Sequence, residues 1–66
     1  MNKIPQYFIE KVKMADGAAK LAVREEEMFY IHTLVNNGYI NATKIDSANT
    51  LDNYHDFSIE VLKPLN

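Results

Sequence analysis

Cysteine and tryptophan are absent from this 66-residue chain, and glycine and proline occur only twice each. The lack of cysteine excludes a disulfide and a thiolate metal site. The two histidines, His32 and His55, stand 23 residues apart with no HxxxH or HExxH spacing around them, so no metal site is expected. Glycines only at 17 and 38 rule out both common glycine-rich phosphate loops. No apolar run approaches the ~18–20 residues of a membrane span. Met1 to Glu10 holds no uninterrupted apolar stretch of signal-peptide length. The expected compartment is therefore cytoplasmic, with no membrane partner.

What is present belongs to a small folded domain. Residues 1–66 make one domain at most. A chain this short buries only about 60% of the surface its unfolded form exposes, and such domains usually add a disulfide, a metal or a partner. With the first two excluded, packing or association with a protein partner or a second copy is left. The composition, 47% apolar and 11% aromatic, supports a core rather than a disordered tail. A domain of this size is expected to enclose no ligand-sized cleft, so neither a cofactor nor a small-molecule substrate is expected. Catalysis has little support, because Tyr54-His55-Asp56, a titratable cluster, lies in a loop and forms no preorganised pocket.

The net charge of −2 is unevenly spread. Residues 1–24 carry Lys3, Lys11, Lys13, Lys20 and Arg24 against Glu10 and Asp16, a balance of +3. Residues 25–66 carry Lys44 and Lys63 against Glu25, Glu26, Glu27, Asp46, Asp52, Asp56 and Glu60, a balance of −5. Such a split can orient a molecule in a partner's field; the plainer reading is two solvated surfaces.

The periodicity predicts an α+β fold of three N-terminal helices followed by a two-stranded antiparallel hairpin. A first helix is expected from Lys3 to Ala15, capped by Asn2, with Pro5 in its first turn. Its apolar stripe is Ile4, Phe8, Val12 and Ala15, widened by Tyr7 and Ile9. Asp16-Gly17 punctuates it, and a short second helix is expected over Ala18 to Val23, with Asp16 as its candidate cap. The alternative is a first helix that runs through Gly17 at a cost of about 1 kcal/mol and places Lys13 and Lys20 on one face. A third helix is expected from Arg24 or Glu25 to Asn37. Its inward face is Met28, Ile31, His32 and Val35, broadened by Phe29 and Leu34. Three glutamates in its first turn complement the helix dipole, and Gly38 ends it. His32, on that apolar face, is expected to be a half-buried core residue. The period then falls to 2: Tyr39 to Ile45 and Phe57 to Val61 read as strands around a polar loop from Asp46 to Asp56.

From Gly17 to Ile40 the chain reads GAAKLAVREEEMFYIHTLVNNGYI. This segment resembles the helix-turn-helix of winged-helix regulators. Ala18, Leu21, Val23, Met28, Ile31 and Val35 occupy matching apolar positions, and His32 stands where the family commonly has leucine. Gly38-Tyr39-Ile40 matches the entry into the wing, one residue early. The resemblance covers about a third of the chain closely and implies a winged-helix-like fold with its wing over residues 39–62. It also implies a place in DNA-associated regulatory, replication or mobile-element machinery.

The charges depart from that pattern. The start of the recognition helix enters the major groove in DNA-binding members. Here it holds Glu25, Glu26 and Glu27, which oppose the phosphate charge that supplies most of the affinity. The expectation is therefore a non-enzymatic accessory subunit or adaptor that binds protein through Glu25, Glu26, Glu27, Tyr30, Tyr54 and His55. Exposed tyrosines favour such interfaces. One alternative is a dimeric DNA-binding regulator using Lys3, Lys11, Lys13, Lys20 and Arg24 on nucleic acid. Another is an acidic inhibitor that imitates nucleic acid.

Overall fold

The computed structural model describes residues 4–18, 20–45 and 53–65. Helix α1 spans Gln6–Ala15 and begins later than the expected Lys3; Asn2 and Lys3 lie outside the described residues. Pro5 precedes it in an extended conformation, φ −60° and ψ 146°. Its carbonyl accepts from the N–H groups of Phe8 (3.0 Å) and Ile9 (3.2 Å). A proline at this position sacrifices no helical hydrogen bond. Phe8, Ile9, Val12 and Ala15 form the buried stripe at helical spacing. Ile4 joins them, while Tyr7 stays half exposed.

The second helix expected over Ala18 to Val23 is replaced by a strand, β1, at Leu21–Arg24. Leu21 and Val23 are buried while Ala22 and Arg24 are exposed, a period of 2 that no helix shares. Six residues are also too few to sustain a helix on their own. Asp16 therefore caps no second helix. Its Oδ1 accepts the Val61 N–H at 3.0 Å, and the Gly17 N–H reaches the Ile59 carbonyl at 3.5 Å. The end of α1 is thus pinned to the last strand.

A 3-10 turn over Glu25–Glu27 leads into α2, Met28–Asn36. The residues turned inward are Glu27, Ile31 and Leu34, spaced i, i+4 and i+7 along one face. This corrects the expected face. His32 and Val35 are exposed, and Phe29 is 64% exposed. The phase is set by Glu27, whose carboxylate turns inward to close the start of the helix. At the other end Gly38 adopts φ +76°, its N–H donates to the Val35 carbonyl (3.0 Å), and the Tyr39 N–H donates to that of Leu34 (2.9 Å). This is the Schellman arrangement, which needs a left-handed residue after the helix.

Strands β2 (Ile40–Ile45) and β3 (Tyr54–Val61) complete the sheet. Tyr54, His55 and Asp56, expected in the polar loop, belong to β3 instead; Asp46 and Asp52 lie outside the described residues. The longer β3 pairs on both sides. Leu21 to Arg24 lie opposite Phe57 to Tyr54, and Ile40 to Ile45 opposite Val61 to Asp56.

The architecture is α+β with element order α1-β1-α2-β2-β3 and an antiparallel sheet ordered β1-β3-β2. Two helices and three strands replace the expected three helices and two-stranded hairpin. Both helices cover one face of the sheet, where Leu21, Val23, Ile40, Phe57 and Ile59 meet Phe8, Val12, Ile31 and Leu34. The chain end folds back as well. The N–H groups of Leu62 and Lys63 donate to the Tyr39 carbonyl, and Leu65 is buried in the core.

Two stability outcomes follow. Phe8→Ala removes a fully buried ring and is expected to lower unfolding free energy by about 3–5 kcal/mol in urea denaturation. A Cβ at Gly38 would meet only the Lys63 side chain, at 3.6 Å, so Gly38→Ala is expected to cost about 1–2 kcal/mol through backbone conformation alone.

Candidate functional site

Two regions carry unusual chemistry. The first surrounds Glu27, which is 1% exposed. The Tyr7 hydroxyl donates to its Oε2 at 2.6 Å, and the Arg24 backbone N–H donates to Oε1 at 2.9 Å. The Arg24 guanidinium reaches Oε2 at 3.3 Å, and Lys11 Nζ lies 3.9 Å from Oε1. Glu27 thus stands three residues after Arg24 and reaches back to its N–H, as the acidic member of a capping box does. One carboxylate ties α1, β1 and the start of α2 together.

Its titration follows from these partners. Burial pushes the Glu27 carboxyl up, but the Tyr7 hydroxyl, the Arg24 N–H and guanidinium and Lys11 outweigh it and hold it below the usual carboxylate value. The Glu27 carboxylate in turn raises the Tyr7 hydroxyl and the Arg24 guanidinium above their ordinary values. A carboxylate with a lowered pKa and a full set of donors is a poor proton shuttle near neutrality. The cluster ties α1, β1 and the start of α2 together. The expectation that Glu27 faces a partner is therefore corrected.

The other expected partner-binding residues divide. His55 Nε2 and Glu25 Oε2 are 2.8 Å apart, and the Glu25 N–H donates to the Asn53 carbonyl at 2.9 Å. The turn before α2 is thereby stitched to the start of β3, where Tyr54 is half-buried opposite Arg24. Tyr30 is also half-buried, its ring 5.2 Å from that of Phe8. Glu26 is exposed. The fold brings Glu25, Tyr54 and His55 together, buries Glu27 and packs the half-buried Tyr30 against the core.

The candidate DNA-binding cations are engaged internally. Lys11 donates to the Ala22 carbonyl at 3.3 Å and lies 5.9 Å from the Phe8 ring centroid. Lys13 pairs with Glu10 at 3.4 Å, Lys20 with the buried Asp56 at 3.3 Å, and Arg24 with Glu27. Lys3 lies outside the described residues. Because α1 stops at Ala15, Lys13 and Lys20 share no helical face.

The second region was missed in the sequence. Between α2 and the sheet runs an open groove of about 440 Å³, lined by Ile31, His32, Val35 and Asn36 on α2, Ala42 and Lys44 on β2, and Phe57 on β3. Its volume falls within the range of ligand sites, roughly 300–1,000 Å³. The groove is open to solvent and not an enclosed cleft. His32 lines this groove as an exposed side chain instead of packing in the core. Phe29 lies on the outer side of the same helix. The alternation of β2 is the signal that was available: Ile40 and Ala42 point to the core face, and Lys44 follows them at the same phase.

Among the described residues no group of three or more His, Cys, Asp or Glu side chains is arranged to hold a metal ion. No helix among them is long and apolar enough to cross a membrane. The chain matches no family model, no curated protein and no solved structure at a significant level.

Glu27 carries two expected outcomes. Glu27→Ala leaves the Tyr7 hydroxyl and the Arg24 N–H without their acceptor and is expected to cost about 2–3 kcal/mol in chemical denaturation. Because the folded-state pKa is lowered, the contribution of this group is complete above its unfolded value of about 4.3. It is lost as pH falls through the lower folded value. Wild type is therefore expected to lose more stability between roughly pH 5 and pH 3 than Glu27→Gln, as followed by denaturation midpoints.

Proposed function

We propose that this protein is a small non-catalytic protein-binding module, an accessory subunit or adaptor, whose contact surface is the outer side of α2. The observation that carries this reading is Phe29, a large aromatic ring 64% exposed on a helix whose inward face is already filled. Val35, at 39% exposure, and the groove beside it extend the apolar surface. Aromatic side chains of this kind supply much of the energy at protein interfaces. The row of glutamates contributes less than its sequence promises, because Glu27 is buried and Glu25 is taken up by His55.

A cytosolic location and membership of a DNA-associated complex are proposals drawn from the sequence alone, because the helix that the winged-helix resemblance requires over Ala18 to Val23 is replaced by the strand β1. Direct DNA binding has weaker support, since Lys11, Lys13, Lys20 and Arg24 each have an internal partner. The nucleic-acid mimic is weakened likewise, because Glu25, Glu27 and Asp56 are paired within the fold.

Affinity capture from the native cytosolic fraction separates these readings. Wild type is expected to retain a defined set of proteins that Phe29→Ser loses and that Glu26→Lys keeps. Identical recovery by wild type and Phe29→Ser would reject the α2 surface. Retardation of mixed-sequence duplex at low salt by roughly 10–50 µM protein would restore direct DNA binding; none is expected.

A further inference from the structure

The two outer strands of the sheet differ in how their free edges are treated. β1 is four residues long, and Lys11 reaches across to the Ala22 carbonyl. Short length and a lysine on the edge are both devices that discourage pairing with another chain. β2 is six residues long and pairs with β3 on one side only. Among the described residues no backbone hydrogen bond satisfies its other edge. β2 also forms one wall of the groove, through Ala42 and Lys44.

Lys44 is the feature that specifies an occupant. It sits opposite Phe57 on the face of the sheet that otherwise carries the core, in phase with Ile40 and Ala42. Among the described lysines and arginines it alone has no ion pair, hydrogen bond or aromatic partner. The others engage Glu10, Ala22, Glu27, Asn37, Tyr39 or Asp56. Among the described residues no carboxylate lines the groove. A cation beside the partly exposed Val35 and Ala42 matches an anion from outside, and these two side chains match small aliphatic ones next to it.

We infer that this groove and the free edge of β2 together receive an extended segment of a partner protein bearing one carboxylate and aliphatic residues at alternate positions. The inference rests on the protein-binding reading above and names the second part of the same surface. The segment adds as a fourth, antiparallel strand, its backbone satisfying the β2 edge. Alternate side chains then face the groove. In antiparallel register the acid lies against Lys44 and the next groove-facing residue, an aliphatic one, against Ala42. A second copy of the chain fits less well. Its β2 would present Ile40, Ala42 and Lys44 on that face, and these supply no carboxylate.

The test uses isotope-labelled protein and two synthetic peptides with blocked ends, one containing Glu-Thr-Val-Thr-Val and the other Lys-Thr-Val-Thr-Val. The Glu peptide is expected to shift the amide resonances of Ile40 to Ile45 and of the α2 residues lining the groove, and to bind more tightly than the Lys peptide. Lys44→Gln is expected to weaken the Glu peptide by roughly two- to fivefold, the range of an exposed ion pair. Lys44→Glu is expected to reverse the preference between the two peptides. Lys63→Gln is expected to leave it unchanged.

Absence of shifts at millimolar peptide, shifts confined to other elements, or equal affinity for the two peptides would overturn the inference. Concentration-dependent shifts of β2 without peptide would overturn it in favour of a second copy. Loss of captured proteins in Phe29→Ser but not in Lys44→Glu would leave the α2 surface standing and remove the groove.

Discussion

Strand β3 must be paired along both of its edges, and the other elements are arranged to do that. β1 takes the edge over Tyr54 to Phe57, and β2 takes the other from Asp56 to Val61. Asp16 and Gly17, at the end of α1, add contacts to its far end through Val61 and Ile59. Buried backbone groups without partners are costly, so a strand at the centre of a small sheet recruits whatever segment can reach it. The short stretch after Gly17 is the one that reaches. Its conversion from expected helix to strand is a consequence of β3.

The second constraint is Glu27. A buried carboxylate is tolerated only when its lone pairs are filled and its charge is met. Here two elements meet it: Tyr7 donates from α1 and Arg24 from the end of β1, and Lys11 of α1 adds a positive charge nearby. The acceptor stands at the entrance to α2, so one group sets both the junction and the rotation of that helix. That rotation places Ile31 and Leu34 inside and leaves Phe29 and His32 in solvent.

Several features were legible in the residues themselves. The buried stripe of α1, the stop at Gly38 and the alternation of Ile40–Ile45 each follow from local patterns of three to ten residues. The α2 face was not legible. Phe29, Val35 and Ile31 have similar apolar character, and helical spacing fits several rotations of so hydrophobic a segment. The choice among them depended on a hydrogen-bond acceptor closing a turn with a tyrosine 20 residues earlier. The candidate site was harder still, because Lys44 has meaning only beside α2 and Phe57, which the chain brings to it from either side.

The absence of cysteine settled one matter by itself: this fold is held by packing and by polar contacts, with no disulfide and no thiolate metal site. The sequence also determined the local helical and strand periods and the uneven spread of charge. Tertiary structure decided which charges remain available. Pairing of β1 with β3 and burial of Glu27 draw Lys11, Lys20 and Arg24 into internal contacts, and Lys44 is left beside the groove. Those pairings join residues far apart in the chain, with separations such as 36 for Lys20 and Asp56 and 30 for Glu25 and His55. Local pattern does not reach that far, because it records only what neighbouring residues do to one another.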